Sequence, residues 1–402
     1  MNTRALRPGF GLNLAVGLFV ACWAIVAAFP LVWIAVMSFR VPIDAFATNP
    51  LQVIFGDVTL ERRGGISLLA IVGYALVLFA AIWLPRYHGA RLVQGMSVRG
   101  VKWVGLSLTW SLYVASLALV LFWIAPSVIA ALESAVTGLP LVGAIARPLF
   151  GFTTEHYQAV WIKHGFYHQF INSMIVTFGV VTISLSVGTL AGYALARANS
   201  NLAFWLLIAA LIFRALPHSV LVTGYLPPFI NSREILMPIW NWPPVAWFFH
   251  LFSEQPPTLY GQPLAVIMVL VSINQPFTIW MLRSFFQNIP AELDEAARVD
   301  GCTYFEAFWR VIMPVMWPGV ITTGLFSFLL AYNDYLVTSL LLDAQSQTMV
   351  PAIAQYFNRE TTTTDQIEAV AAAVSITAPL FLLVMVFQRQ IVSGLTQGAV
   401  KG

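Results

Sequence analysis

The sequence predicts an all-α polytopic membrane protein of about eight transmembrane helices, with both termini cytoplasmic. Three observations predict this. Of 402 residues, 59% are hydrophobic and only 9% are charged, against roughly 25% charged in soluble domains. Uncharged apolar runs long enough to cross about 30 Å of hydrocarbon recur along the chain. Inside a bilayer the backbone must satisfy its own hydrogen bonds, and runs of this length do so as helices. The net charge of +3 comes with no Lys/Arg block, so nothing points to nucleic acid. Cys22 and Cys302 stand far apart in unlike surroundings with no ligand cluster beside them, which argues against a disulfide and against a metal site.

The elements follow in order. Arg4 and Arg7 precede an apolar run that continues to Phe39, too long for a signal-peptide core, so 12–38 reads as an uncleaved anchor span. Further spans are expected at about 66–84, 103–132, 170–196, 202–226, 263–282, 315–340 and 369–387. The third is long enough to tilt, with Pro126 as a bend, and the fifth contains Arg214 and Pro217. With the N-terminus inside, twelve of the twenty basic residues fall on the inner side, among them Arg86, Arg91, Arg99, Lys102, Arg197, Arg283, Arg298, Arg310 and Arg389. Segments 40–65, 133–169, 227–262 and 341–368 then face out. The aromatic-rich stretch SREILMPIWNWPPVAWFFHLF suits the membrane interface.

One inner segment stands apart. ELDEAARVDGCTYFEAFWRVIMP, residues 292–314, holds five of the chain's 17 acidic residues between two apolar runs. Local signals divide it into two short helices. Pro290 suits a first helical position, with Glu292 and Asp294 in the first turn, where the helix dipole favours anions. Asp300-Gly301 stops that helix, and Thr303-x-x-Glu306 is a capping box that starts the next one. Leu293, Ala296 and Ala297 form a small apolar face opposite the acids. So short a helix is not stable alone in water, and its acids are unwelcome in lipid, so a cytoplasmic protein partner is expected.

Glu295-Ala296-Ala297, three residues, Gly301, nine residues and Val311-Ile312-Met313-Pro314 together resemble the EAA loop, EAA-x3-G-x9-I-x-L-P, of ABC-importer permeases. Val311 and Met313 stand for the usual Ile and Leu. The stretches FPLVWIAVMSFR (29–40), INSMIVT (171–177), AGYALAR (191–197) and QRQIVSGLTQGAVKG (388–402) make the chain similar to maltose-type carbohydrate permease subunits. The resemblance covers nearly everything except about 50–150. It implies a six-helix type I importer core with an extra two-helix hairpin after the first span. The parts are then an N-terminal anchor (1–49), an inserted region (50–150) and the transmembrane domain (151–402), with the coupling loop at 288–314 and the C-terminal tail at 388–402. The longer members of this layout resemble alpha-glucoside permeases.

The same resemblance implies a permease subunit that forms half of a sugar path in an ATP-driven, binding-protein-dependent importer of a bacterial inner membrane. Its implied partners are a second related permease, a dimer of cytoplasmic ATPase subunits, an extracytoplasmic sugar-binding protein and the bilayer. Glu295, Ala296, Ala297, Asp300, Gly301 and Pro314 would form the ATPase-coupling site. In the tail, Gly394, Leu395, Thr396 and Lys401 would reach the ATPase dimer. The outer loop 343–366 would enter the binding protein, with Gln355, Tyr356, Asn358 and Arg359 as contacts. No G-x-x-x-x-G-K-[ST] pattern occurs, so the chain is expected to hold no cofactor of its own, with ATP and Mg bound by the partner ATPase, and not to be an enzyme.

Polar residues within spans are functional candidates. Asn172, Asn274, Gln275, Thr323, Ser327, Asn333 and Asp334 are candidates for the translocation path, Arg214 and Thr322 beside them, with interhelical bonding the commoner use of the neutral ones. His156, His164 and His168 cluster near the fourth span, where an interfacial role outweighs a metal. The alternative function, an ion-coupled secondary transporter, would want buried acids in its core and broken helix pairs, and leaves the EAA loop without a purpose.

Overall fold

The computed structural model describes residues 10–80, 116–117, 119–139, 143–198, 201–215, 218–251, 253–358 and 362–399. The chain divides into two units, Met1–Gln158 and Ala159–Gly402.

The first unit begins with α1 (Phe10–Ser38), apolar on all sides, with Pro30 inside it. That is the pattern of a helix made for lipid rather than for a water-facing surface. After it, the chain folds into a small polar knot of short helices. The buried Asp44 carboxylate accepts from the Thr59 amide (2.6 Å), the Thr59 hydroxyl (2.7 Å) and the Gln52 side chain (3.2 Å). Burial pushes this carboxyl upward, but the bonds from Thr59, Gln52 and Val58 outweigh it and hold its pKa below the ordinary value. Arg40, also buried, donates to the carbonyls of Val53 and Ile54. Its stem lies against Gly56 (φ 68°), where a Cβ would meet Arg40 Cδ at 2.7 Å, so only glycine fits this corner.

Strand β1 (Gly65–Ser67) pairs antiparallel with β2 (Pro148–Gly151). Between them, α2 (Leu68–Ala80) and α3 (Ala125–Thr137) meet through Ala70, Ala125 and Ile129. Ser67 donates to Glu133. Most of the two expected spans of this region, 66–84 and 103–132, is outside the described residues or shorter than a full crossing. α3 follows a π-helical turn, Val120–Ile124, just ahead of Pro126.

The second unit is a helical bundle. It contains α4 (Phe166–Arg197), α5 (Asn201–Arg214), α6 (His218–Ile230), α7 (Pro263–Gln287), α8 (Glu292–Val299), α9 (Tyr304–Tyr332), α10 (Leu336–Leu341), α11 (Met349–Asn358) and α12 (Thr363–Ala399). With α1, helices α4, α7, α9 and α12 are the five long and apolar enough to cross a membrane among the described residues. α4 and α7 pack closely because Gly179, Gly188 and Gly192 line the seam. A Cβ on Gly192 would stand 3.1 Å from the Arg283 backbone nitrogen. Small residues admit such close helix approach in membranes.

Three expectations need correction. The fifth span, 202–226, is two helices, α5 ending at Arg214 and α6 starting at His218; Pro217 is outside the described residues. The seventh, 315–340, starts at Tyr304 and ends at Tyr332. Asp334 then accepts from the Thr338 amide (3.0 Å) just ahead of the separate α10, whose N-cap position is Tyr335. The segment 343–366, expected to face out as a loop, contains a packed helix of ten residues, α11, with Met349, Ala352 and Ile353 buried against Phe166, Phe328 and Tyr332.

Candidate functional site

The end of the bundle where α4 and α7 finish carries the charged loop. α8 starts at Glu292, two residues after Pro290, so Pro290 precedes the helix rather than opening it. Glu292, Asp294 and Glu295 occupy its first turn. Gly301 takes φ 89° and ends the turn after Asp300. Thr303 and Glu306 form the capping box in full: the Thr303 hydroxyl accepts from the Glu306 amide, and the Glu306 carboxylate accepts from the Thr303 amide at 3.0 Å. Arg310 lies 3.3 Å from the Glu306 carboxylate, one turn further along.

Below the loop lies a dry cluster of Leu282, Phe286, Ile289, Phe308, Ile312 and Met316. Phe308 and Ile312 belong to a π-helical turn, Phe308–Ile312, at the base of α9. Pro314 explains its place. A proline clashes with the carbonyl four residues back and has no N–H to donate. The Met313 amide accordingly bonds to Phe308, five residues back.

The apolar face expected on α8 is divided. Ala297 is buried, whereas Glu295 and Ala296 are exposed. Val299 is 88% exposed, and Tyr304, Phe305 and Trp309 also project outward. Arg298 stacks on Tyr304 at 4.3 Å. The loop thus presents acids and uncovered apolar side chains on one side and roots itself in the bundle on the other.

The root is a contact not anticipated from the sequence. Asp294 accepts from the Tyr193 hydroxyl and is ion-paired with Arg197 (Nη2 2.7 Å, Nε 2.9 Å), both in the AGYALAR stretch of α4. Arg197 Nη1 also donates to the carbonyls of Ile289 (3.1 Å) and Phe286 (3.4 Å). A tyrosine and an arginine four apart at the inner end of a span were the available signal, since such residues share one helix face.

The other candidates separate into groups. Asn274 donates to Ser327 (2.8 Å), Thr278 lies 3.4 Å from the same hydroxyl, and Thr322 and Thr323 bond to carbonyls of their own helix; all are buried. The Asn274 and Thr278 contacts with Ser327 link α7 to α9, whereas the two threonine bonds stay within α9. Gln275, half-buried, donates to the Ser184 carbonyl (3.3 Å). Asn333 is exposed. Arg214 stacks on Phe277 at 4.5 Å. Asn172 donates to the carbonyls of Gln345 and Gln347, each at 3.2 Å.

Gln355 donates to Gln347 (2.8 Å). Tyr356 and Asn358 stand at the end of α11, and Arg359 is outside the described residues. Gly394, Leu395 and Thr396 continue α12, so the expected tail is helical to Ala399, while Lys401 is outside the described residues. His164 pairs with Glu368 (3.0 Å), a partner 204 residues away, and His156 bonds to the Arg40 carbonyl (2.9 Å). Among the described residues no three metal-type ligands come together.

The family of binding-protein-dependent transport system inner membrane components matches residues 184–397, more than half of the chain. The trehalose transport system permease protein SugB of Mycobacterium tuberculosis is 30% identical over 251 residues, which are 62% of this chain and 82% of SugB. The diacetylchitobiose uptake system permease protein DasC of Streptomyces coelicolor is 34% identical over 252 residues, 62% of this chain and 81% of DasC. The trehalose/maltose transport system permease protein MalG of Thermococcus litoralis is 30% identical over 237 residues, 58% of this chain and 74% of MalG.

Proposed function

Because the chain belongs to the family of binding-protein-dependent transport system inner membrane components, we propose that it forms half of the membrane path of an ATP-driven importer for an oligosaccharide or glucoside. The chain is a multi-pass membrane subunit and not an enzyme. ATP and Mg belong to a separate ATPase, a second related permease supplies the other half of the path, and an extracytoplasmic binding protein delivers the sugar. The sugar class rests on the relatives, whose named substrates are trehalose, maltose and diacetylchitobiose.

The observation that carries the reading is the loop itself. α8 exposes Glu295, Ala296 and Val299 while Ala297 and Asp294 hold it to the bundle. Val299, Tyr304, Phe305 and Trp309 are all exposed on this short loop, and several uncovered apolar side chains close together suit a protein joint better than open water. Gly301 sets the angle between α8 and α9, and the turn at Pro314 passes the contact into the span. An ATPase that closes and opens on nucleotide would thereby bias the permease between inward- and outward-facing states. For the path, Gln275 and Asn333 are the better contacts for sugar hydroxyls, since Asn274, Thr323 and Ser327 are committed to bonds within the bundle.

The test is co-purification of the tagged chain from membranes, wild type against Glu295→Ala combined with Val299→Glu. Wild type should bring down an ATPase and a second permease, and the double variant should lose the ATPase while retaining the permease. A wild type that purifies alone, or a variant with full ATPase, overturns this reading.

A further inference from the structure

Helix α4 touches both ends of the second unit through polar bonds. At its inner end, Tyr193 and Arg197 hold Asp294 of α8, and Arg283 of α7 donates to the Leu195 carbonyl (3.3 Å). At its outer end, the Ser173 hydroxyl accepts from the Met349 amide (2.9 Å), and Asn172 holds the carbonyls of Gln345 and Gln347. Those two outer carbonyls belong to the segment that leads into α11. From Asn172 to Arg197 the helix rises about 38 Å, at about 1.5 Å per residue.

Three features make this helix stiff. Among the described candidate spans, α1, α7, α9 and α12 each contain a proline (Pro30, Pro276, Pro318 and Pro379), whereas α4 contains none. Proline is one of the principal causes of sharp helix kinks, and α4 is without that one. The seam of Gly179, Gly188 and Gly192 presses α4 onto α7 with no slack for a Cβ. Val176, Thr177, Val180 and Ser184 are fully buried along its length.

We infer that α4 is the strut that carries displacement between the outer 343–349 segment and the inner coupling helix, with Tyr193–Asp294–Arg197 as its inner fastening and Ser173–Met349 as its outer one. The inference rests on the importer reading above and adds the route within this chain. Tyr193, Arg197 and Ser173 are positioning residues in it. They touch neither sugar nor nucleotide, and act by fixing the helix to the two elements that partners would move.

The experiment uses the whole transporter, reconstituted with its ATPase, second permease and sugar-loaded binding protein, and measures ATP hydrolysis with and without that binding protein. The readout is the ratio of the two rates. Tyr193→Phe and Asp294→Asn should each lower the ratio about fivefold or more. Ser173→Ala, at the far end, should lower it about two- to fivefold with the basal rate unchanged. The exchanged pair Arg197→Asp with Asp294→Arg should recover most of the ratio lost by either change alone. A purely local role in folding the loop predicts the opposite pattern: less ATPase attached, an unchanged ratio in what remains, and no effect of Ser173→Ala. That pattern overturns the strut. A wild-type transporter whose ATPase does not respond to binding protein at all overturns the importer reading, and the strut with it; a responsive wild type with equally responsive variants overturns the strut alone.

Discussion

Among the described residues, two π-helical turns stand directly ahead of a proline, and they behave differently. Val120–Ile124 is followed by Ala125 and Pro126; Phe308–Ile312 is followed by Met313 and Pro314. In each, the amide just before the proline reaches five residues back, to Val120 and to Phe308. The local cause is shared, since the widened turn moves a carbonyl out of the way of the proline ring. The surroundings are not. Trp123 is 78% exposed, whereas Phe308 is 3% exposed among Tyr193, Phe286 and Ile312. A widened turn in open surroundings is only a local bend. The same turn rooted in an apolar cluster, with a polar clamp beside it, is tied to its neighbours on both sides.

The sharpest way to break this comparison is to remove one aromatic from each turn. Phe308→Ala should cost about 3–5 kcal/mol, the usual loss for a buried aromatic. Trp123→Ala should stay within about 0.5 kcal/mol in detergent, as exposed substitutions do. Unfolding midpoints of the purified chain measure both, and equal shifts would mean that the two turns are equally rooted.

Ion pairs sharpen the contrast further. Arg197→Ala leaves Asp294 largely buried without its cation and should cost about 1.5–3 kcal/mol, the range for bonds to charged groups. Arg63 and Glu155 pair at 2.7 Å in the first unit, but Arg63 is half exposed, so Arg63→Ala should cost less than about 1 kcal/mol. Urea or SDS titration of the two variants should place them in that order.

Glycines provide the third comparison. Gly192→Ala drives a methyl to 3.1 Å from the Arg283 backbone and Leu282 Cβ, and overpacking of this kind costs about 1–3 kcal/mol. Gly138 has open space around it and a φ of −79°, so Gly138→Ala should be neutral within about 0.5 kcal/mol. Thermal midpoints would settle it.

The smallest effect is a pH dependence confined to the first unit. The Asp44 carboxyl has a lowered pKa in the fold. Its stabilising contribution is therefore complete above the ordinary carboxylate value and fades as pH falls through the lowered one. Acid titration of hydrogen exchange at the Thr59 amide should show this loss, and Asp44→Asn should flatten the profile.

Much of the loop was legible because its signals are local. Asp300-Gly301 and Thr303-x-x-Glu306 specify a stop and a start within seven residues, and both form as read. The motif from Glu295 to Pro314 likewise lies in one run of sequence. What the sequence concealed was long-range. Asp294 finds Arg197 97 residues away, and His164 finds Glu368 204 residues away; no periodicity links such residues. Helix α11 was hidden for a different reason. It is short, and its apolar positions are packed by Phe166 and Tyr332 from distant parts of the chain, so tertiary burial rather than intrinsic preference makes it a helix. The break in the fifth expected span was signalled by Pro217, but apolar character on both sides of it reads as one continuous crossing.

The pairing of Gly65–Ser67 with Pro148–Gly151 has a consequence for how freely the chain between them can change. The two strands meet wherever the intervening chain begins and ends, so its length enters only through the entropy of closing a ring. That cost grows logarithmically, by about 0.6 kcal/mol for each doubling. Eighty residues or so between the strands are therefore only a few kcal/mol dearer than a short turn. The buried Asp44–Thr59 bonds and the stacked rings of Phe39, Phe152 and Tyr157 hold the rim on either side. The segment from 68 to 147 can thus lengthen, shorten or be replaced over generations at little thermodynamic penalty to the rim that carries it.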